Sequence, residues 1–131
     1  MNTVLKKLRY KNQNPVLVIN APAQIMPILN DFDSAIHHEA RQSYDFILCF
    51  SETMAEGAII AARVVKHLNH DGLLWFCYPK GTSVNYRSDI NRERAWNLFK
   101  VLGFRPVAQI AVDDDWSALR FREARLVKSG R

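Results

Sequence analysis

Residues 44–79 read YDFILCFSETMAEGAIIAARVVKHLNHDGLLWFCYP, two short continuous apolar runs on either side of one long helical pattern. Phe46 to Phe50 and Leu73 to Tyr78 lack the polar alternation of a half-exposed strand, so each is expected to be buried on both faces. Between them, Glu52 to Leu68 places Met54, Ala58, Ile59, Ala61, Ala62, Val65 and Leu68 on an apolar stripe, with Glu56, Arg63 and Lys66 off it. His67, Asn69 and His70 suit the negative end of a helix dipole, and Gly72 supplies a stop before the next strand. Strand, crossing helix and strand make a βαβ unit, and such units build parallel sheets covered on both faces.

The flanks extend the same plan. Val16 to Ile19 is a β-branched and apolar run expected to form the first strand. Asn20 before Pro22 is helix-start chemistry, so a helix is expected through Ile25, Met26, Ile28 and Leu29, shortened by Pro27. Ser34 to Ala40 is a weak edge-strand candidate broken by His37, His38 and Glu39. Beyond Pro79, Lys80 to Ile90 reads as the longest loop. Arg92 to Leu102 reads as a helix closed by Gly103, and Pro106 leads into a strand over Val107 to Val112. Asp113, Asp114 and Asp115 form a turn before Trp116 to Arg122, which alternates well enough to return antiparallel.

A chain of 131 residues is long enough for one core and too short for two, so residues 1–131 are expected to be a single domain. No segment approaches the roughly 18 apolar residues of a membrane span, and the N-terminus lacks the apolar core of a secretory signal, which places the expected location in the cytoplasm. Cys49 and Cys77 both lie in apolar strand-like runs and are read as small buried hydrophobes. The net charge of +5 is uneven: residues 1–14 carry +4, residues 120–131 carry +4, and the body between them carries −3. The basic leader at 1–14 and the basic tail at 123–131 are therefore expected to be solvated and partly flexible ends. They touch nucleic acid weakly at most.

Chemistry-bearing motifs are sparse. His67 and His70 lie three apart, and helix-end solvation accounts for them. His37 and His38 point to opposite sides of a strand, so no metal site is assigned. Lys80, Gly81, Thr82 and Ser83 superficially resemble a phosphate loop but lack its spaced glycines and following helix, leaving a weak anion site. Asp113 to Asp115 suit turn formation more than acid–base work. Trp75, Trp96 and Trp116 are read as core or interface residues. No Ser, His and Asp set can be assembled from spacing.

A parallel α/β sheet closed by a C-terminal hairpin resembles the class I methyltransferase variant of the Rossmann plan, and residues 44–122 are similar to the second half of such enzymes. In a closer likeness, VLVINAP (from Val16 and Leu17), LWFCYPKGTS (74–83), INR (90–92) and GFRPVAQIAVDDDWSALRFR (103–122) resemble a family of small bacterial proteins catalogued as a domain of unknown function. Together with the hairpin at Asp113 to Asp115, the resemblance implies a three-layer, Rossmann-like, methyltransferase-like α/β fold. Its sheet is mostly parallel, in the order 2-1-3-4-6-5, with strand six antiparallel. It carries no established reaction. Methyltransferases and dinucleotide binders place glycines directly after strand one, where this chain has Asn20, Ala21 and Pro22, so adenosylmethionine is not expected to bind in the usual way.

The leading expectation is a noncatalytic Rossmann-like module that binds a small ligand or a protein partner, with a homodimer possible. The alternatives are a methyltransferase-like or nucleotide-using enzyme with an atypical first loop, and weak nucleic-acid association through the basic ends. The functional rim is expected beyond the carboxyl ends of the parallel strands, at Asn20, Glu52, Lys80, Ser83, Arg92, Asp113, Asp114, Asp115 and Trp116.

Overall fold

A computed structural model describes residues 2–127; residues 128–131 of the expected basic tail lie outside the described part. Six strands, β1 (Val16–Ile19), β2 (Ile36–His37), β3 (Tyr44–Phe50), β4 (Leu68–Pro79), β5 (Phe104–Ala111) and β6 (Trp116–Glu123), form one sheet in the order β2-β1-β3-β4-β6-β5. The first four are parallel, and β6 runs antiparallel between β4 and β5. This is the expected order. The four helices are α1 (Thr3–Lys7), α2 (Met26–Leu29), α3 (Met54–Val64) and α4 (Arg92–Lys100).

Two cores lie on opposite faces of the sheet, which makes three layers. One joins Leu5, Leu8, Tyr10, Ile25, Leu29 and Phe32 to Val16, Val18, Phe46, Leu48, Trp75 and Trp116. The other joins Ile60, Ala61, Val64, Ala95 and Phe99 to Leu17, Ile47, Phe76, Leu119 and Phe121. The central strands alternate between these cores, which explains their unbroken apolar runs. Pro106 sits in β5, an edge strand where a missing backbone donor is tolerated. No described helix is long and apolar enough to cross a membrane. Both cysteines are buried and unpaired, and burial pushes their thiol pKa values up, so they are poor nucleophiles.

Four expectations are corrected. The basic leader is not a fraying end. Asn2 caps α1 by accepting from Val4 N–H at 2.7 Å, and Leu5, Leu8 and Tyr10 are at most 3% exposed. Trp75 Nε1 donates to the Leu8 carbonyl at 2.9 Å, tying the leader to the middle of β4. The α3 stripe is also rotated from the expected one: Gly57, Ile60, Ala61 and Val64 face inward, and Ile59 is 56% exposed. Gly57 sets that rotation, because a Cβ there would stand 2.9 Å from Leu98 Cδ1 and 3.2 Å from Phe76 Cζ.

The third correction is at β4, which starts at Leu68 rather than after Gly72. Its pairing with β3 jumps from Tyr44–Leu68 to Phe46–Leu73, so residues 69–72 form a bulge with Asp71 left-handed at φ 52°. Asn69 and His70 thus belong to a strand and not to a helix end. Finally, Asn20 caps no helix. It is left-handed at φ 62°, and the chain continues through a 3-10 turn at Ala23–Ile25 into the four-residue α2.

Arg9 follows α1 at φ 62° in a Schellman-type close, with Arg9 N–H donating to Lys6 O and Tyr10 N–H to Leu5 O, both at 3.0 Å. Glycine suits this position and arginine strains it. Replacing Arg9 by Gly is therefore expected to raise unfolding stability by about 0.5–1 kcal/mol, measured by urea titration. An unchanged or lower midpoint would remove the strain argument.

Candidate functional site

The carboxyl ends of β1, β3 and β4 share one edge of the sheet, and β6 begins there because Trp116 pairs with Pro79. The strand order reverses between β1 and β3, which is where open α/β sheets form their ligand crevice. Asn20 stands at that point and crosses it. Its Nδ2 donates to the Phe50 carbonyl at 3.0 Å and to Glu56 Oε1 at 3.1 Å. Glu56 is held from the other side by Ser51 Oγ at 3.4 Å, while Thr53 caps α3 by accepting from Glu56 N–H.

Beside it, three loops converge on Asp115, which is 8% exposed. Its carboxylate accepts from Ser83 Oγ at 2.8 Å, Asn85 Nδ2 at 3.1 Å and Gln24 Nε2 at 3.2 Å. The Ser83 and Asn85 hydrogen bonds hold its pKa below the usual carboxylate range, with Gln24 and the Lys80 charge adding to them. Asp113 shapes the turn: its Oδ1 accepts from Asp115 and Trp116 N–H, both at 2.8 Å, and its Oδ2 from Gln24 at 2.7 Å. Tyr86 OH donates to Gln24 Oε1 at 2.6 Å, and its ring meets Trp116 edge to face at 5.1 Å.

The rim residues expected from sequence thus divide into groups. Lys80, Ser83, Asp113, Asp115 and Trp116 come together, with Lys80 N–H donating to the Asp115 carbonyl at 2.7 Å. Asp114 is exposed on the same turn. Asn20 engages Glu56 rather than Glu52, which is exposed and contributes its carbonyl to Ser88 Oγ at 2.7 Å. Arg92 opens α4, where its charge acts on the Tyr78 phenol, whose pKa burial raises. Trp116 is a fully buried wall against Phe50 and Tyr86, with its indole N–H unpartnered. Sequence reasoning missed Gln24, Asn85 and Tyr86, because nothing in their spacing shows that separate loops meet.

Lys80 and Arg87 remain at the mouth. Among the described residues the ion pairs are Arg122–Asp71 and Arg125–Glu123, so neither rim cation is paired with a carboxylate. Both line a 260 Å³ recess with Gly81, Ser83, Tyr86 and Ser88. A Cβ at Gly81 would meet nothing within 4 Å, so the backbone there is open to a ligand. A larger groove of 520 Å³ lies away from this rim, between α3 and the segment after β2, with Leu17, Ile60 and Val64 among its lining. It exists because no helix joins β2 to β3 over that face. Among the described residues no group of three or more His, Cys, Asp and Glu converges as a metal cluster would.

No family model and no curated protein sequence matches this chain. Solved structures do match it. A ribosomal protein L11 methylase from Lactobacillus delbrueckii subsp. bulgaricus is similar with a TM-score of 0.60 at 10% identity, covering 92% of this chain and 74% of that one. The N-methyltransferase NodS from Bradyrhizobium japonicum WM9 gives a TM-score of 0.56 at 14% identity, covering 92% of each chain. A methyltransferase from Pyrococcus furiosus gives 0.55 at 10% identity, covering 92% of this chain and 79% of that one. At these identities the likeness is one of fold. The chain has a methyltransferase-like α/β fold.

Proposed function

We propose that this chain is a noncatalytic, cytoplasmic module of methyltransferase-like fold that binds a small anionic ligand in the rim recess beside Lys80. The observation that carries this reading is the division of labour at the rim. The buried carboxylate of Asp115 is engaged by three side chains and Asp113 by its own turn, so neither is placed for proton transfer, whereas the cations Lys80 and Arg87 face an open recess without a carboxylate partner. A recess of 260 Å³ suits a small metabolite rather than a dinucleotide.

The rival is an enzyme that uses adenosylmethionine or a nucleotide. Left-handed Asn20 favours it, because that residue makes the tight turn after β1 that glycine makes in cofactor binders. Against it, the Asn20 side chain occupies the crevice between β1 and β3.

Calorimetry of the intact chain with inorganic phosphate, small phosphorylated and carboxylated metabolites, and adenosylmethionine separates the two readings. Saturable binding of a small anion is expected, weakened about tenfold by Lys80→Gln, the loss of one charge-assisted contact. Adenosylmethionine is expected to bind more weakly than about 1 mM, a free energy smaller than about 4 kcal/mol in magnitude. Micromolar adenosylmethionine affinity would replace this reading with the enzyme.

A further inference from the structure

The basic leader and the C-terminal hairpin, far apart in sequence, meet on the sheet face beneath α1. Trp75 fixes the meeting point: its indole holds the Leu8 carbonyl at 2.9 Å, and its cross-strand partner on β6 is Arg120. Arg9, the next residue after Leu8, therefore lies beside Arg120. Two positions further along β6, on the same face, Arg122 stands directly opposite Arg105 of β5. The strand register thus puts Arg105, Arg120 and Arg122 on one sheet face, with Arg9 close enough for its charge to act on Arg120.

One carboxylate answers them. Asp71, from the β4 bulge, takes Arg122 in a two-pronged pair at 2.7 Å on each arm. The neighbouring acid Glu123 is taken by Arg125 at 2.7 Å. Arg9, Arg105 and Arg120 have no carboxylate partner among the described residues, and Arg120 Nε is buried with no hydrogen-bond partner at all. Burial and the charges of Arg9 and Arg122 together press the Arg120 pKa down, an electrostatic sign of the same crowding. Like charges directly opposite across a strand pair destabilise a sheet, and an unsatisfied buried donor costs more. Arg9 adds backbone strain at the same spot. An anion that entered the patch would offset the charge repulsion and give Arg120 Nε the acceptor it lacks.

We propose that Arg9, Arg105 and Arg120 form an oxyanion site for a phosphoryl group, separate from the rim recess. Planar guanidinium forks match phosphate oxygens two at a time. Three unpaired positive charges suit a group carrying about two negative ones, the charge of a phosphate monoester at neutral pH. Arg9 is exposed and Arg105 half-buried, so the patch is open to solvent on one side. The phosphoryl group comes either from a free phosphorylated ligand or from a nucleic-acid backbone.

The test titrates the full chain, at constant ionic strength, with pyrophosphate and with a short single-stranded oligonucleotide. At least one is expected to bind saturably. Arg9→Gln and Arg120→Gln are each expected to weaken that binding about tenfold, and to do so equally in a Lys80→Gln background, where the rim recess no longer contributes. Binding of pyrophosphate alone assigns a free phosphorylated ligand. Tighter oligonucleotide binding, with a salt slope reduced by about one for each arginine removed, assigns a backbone. Arg9 is on the surface, so its variant reports on the site even where Arg120→Gln does not fold. The site is overturned by absence of saturable binding for both probes, or by full affinity in Arg9→Gln, which would return the anion to the rim.

Discussion

A chain that begins at residue 11 loses cooperative folding. Removing residues 1–10 takes away Leu5, Leu8 and Tyr10, exposed by 0%, 1% and 3% in the intact domain. At about 1.5–3 kcal/mol for each buried side chain, the loss is roughly 5–9 kcal/mol, which rivals the whole net stability of an ordinary domain. The deletion also opens Phe46 and Phe32, which Tyr10 packs against edge to face at 5.8 and 4.7 Å, and leaves the buried Trp75 indole N–H without its acceptor. Thermal melting followed by circular dichroism compares the two chains. A shortened protein that melts cooperatively within a few degrees of the intact one would show the leader to be dispensable and return it to a solvated tail.

The leader illustrates why some of this fold was illegible in the sequence. Its basic residues are the strongest local signal, and Lys6 and Lys7 do sit on the outside of α1. Leu5 and Leu8 are three apart, too few to register as an amphipathic helix, and Tyr10 enters the core only after the left-handed turn at Arg9. Tertiary packing decides such a short helix, not propensity. The central strands behave oppositely. Their runs are apolar because both cores need them, so Val16–Ile19 and Phe46–Phe50 could be placed, and the acid turn before Trp116 located the hairpin that completes the sheet order.

The α3 stripe and the β4 bulge fall between these cases. Glycine reads as a gap in a hydrophobic pattern, yet Gly57 is buried on the inner face of α3, where a Cβ would press against Leu98 and Phe76. Asp71 stands next to the expected stop at Gly72 and carries no local signal of its own, because its partner, Arg122, lies 51 residues away. At the rim, chain order was enough to bring Lys80 toward the acid turn, because both follow from strand direction. It could not supply Gln24, which reaches the same carboxylates from the other side of the sheet's switch point.

Asp115 gives the largest expected effect at the rim. Replacing it with alanine removes the common acceptor of Ser83, Asn85 and Gln24 at once and leaves those donors to solvent or to poorer partners. The loops after β1 and β4 then lose their shared anchor, so the melting temperature falls and hydrogen exchange quickens at residues 24 and 83–86 while the strand amides stay protected. Anion binding beside Lys80 weakens as well, because Ser83 and Tyr86 line that recess. The charge itself is read from pH. Since folding lowers the Asp115 pKa, the carboxylate stabilises the domain above its unfolded value of about 3.9, and that contribution disappears as pH falls through the lower folded value. Asp115→Asn should flatten this acid limb of the stability curve relative to the parent, leaving the limb due to Asp71, whose pKa is lowered chiefly by its hydrogen bond to Arg122. Melting curves from pH 7 down through about pH 3 compare the two proteins. Superimposable acid limbs would mean that the three donors hold the loops without needing a charge at Asp115, and the rim would then owe its shape to the backbone turns.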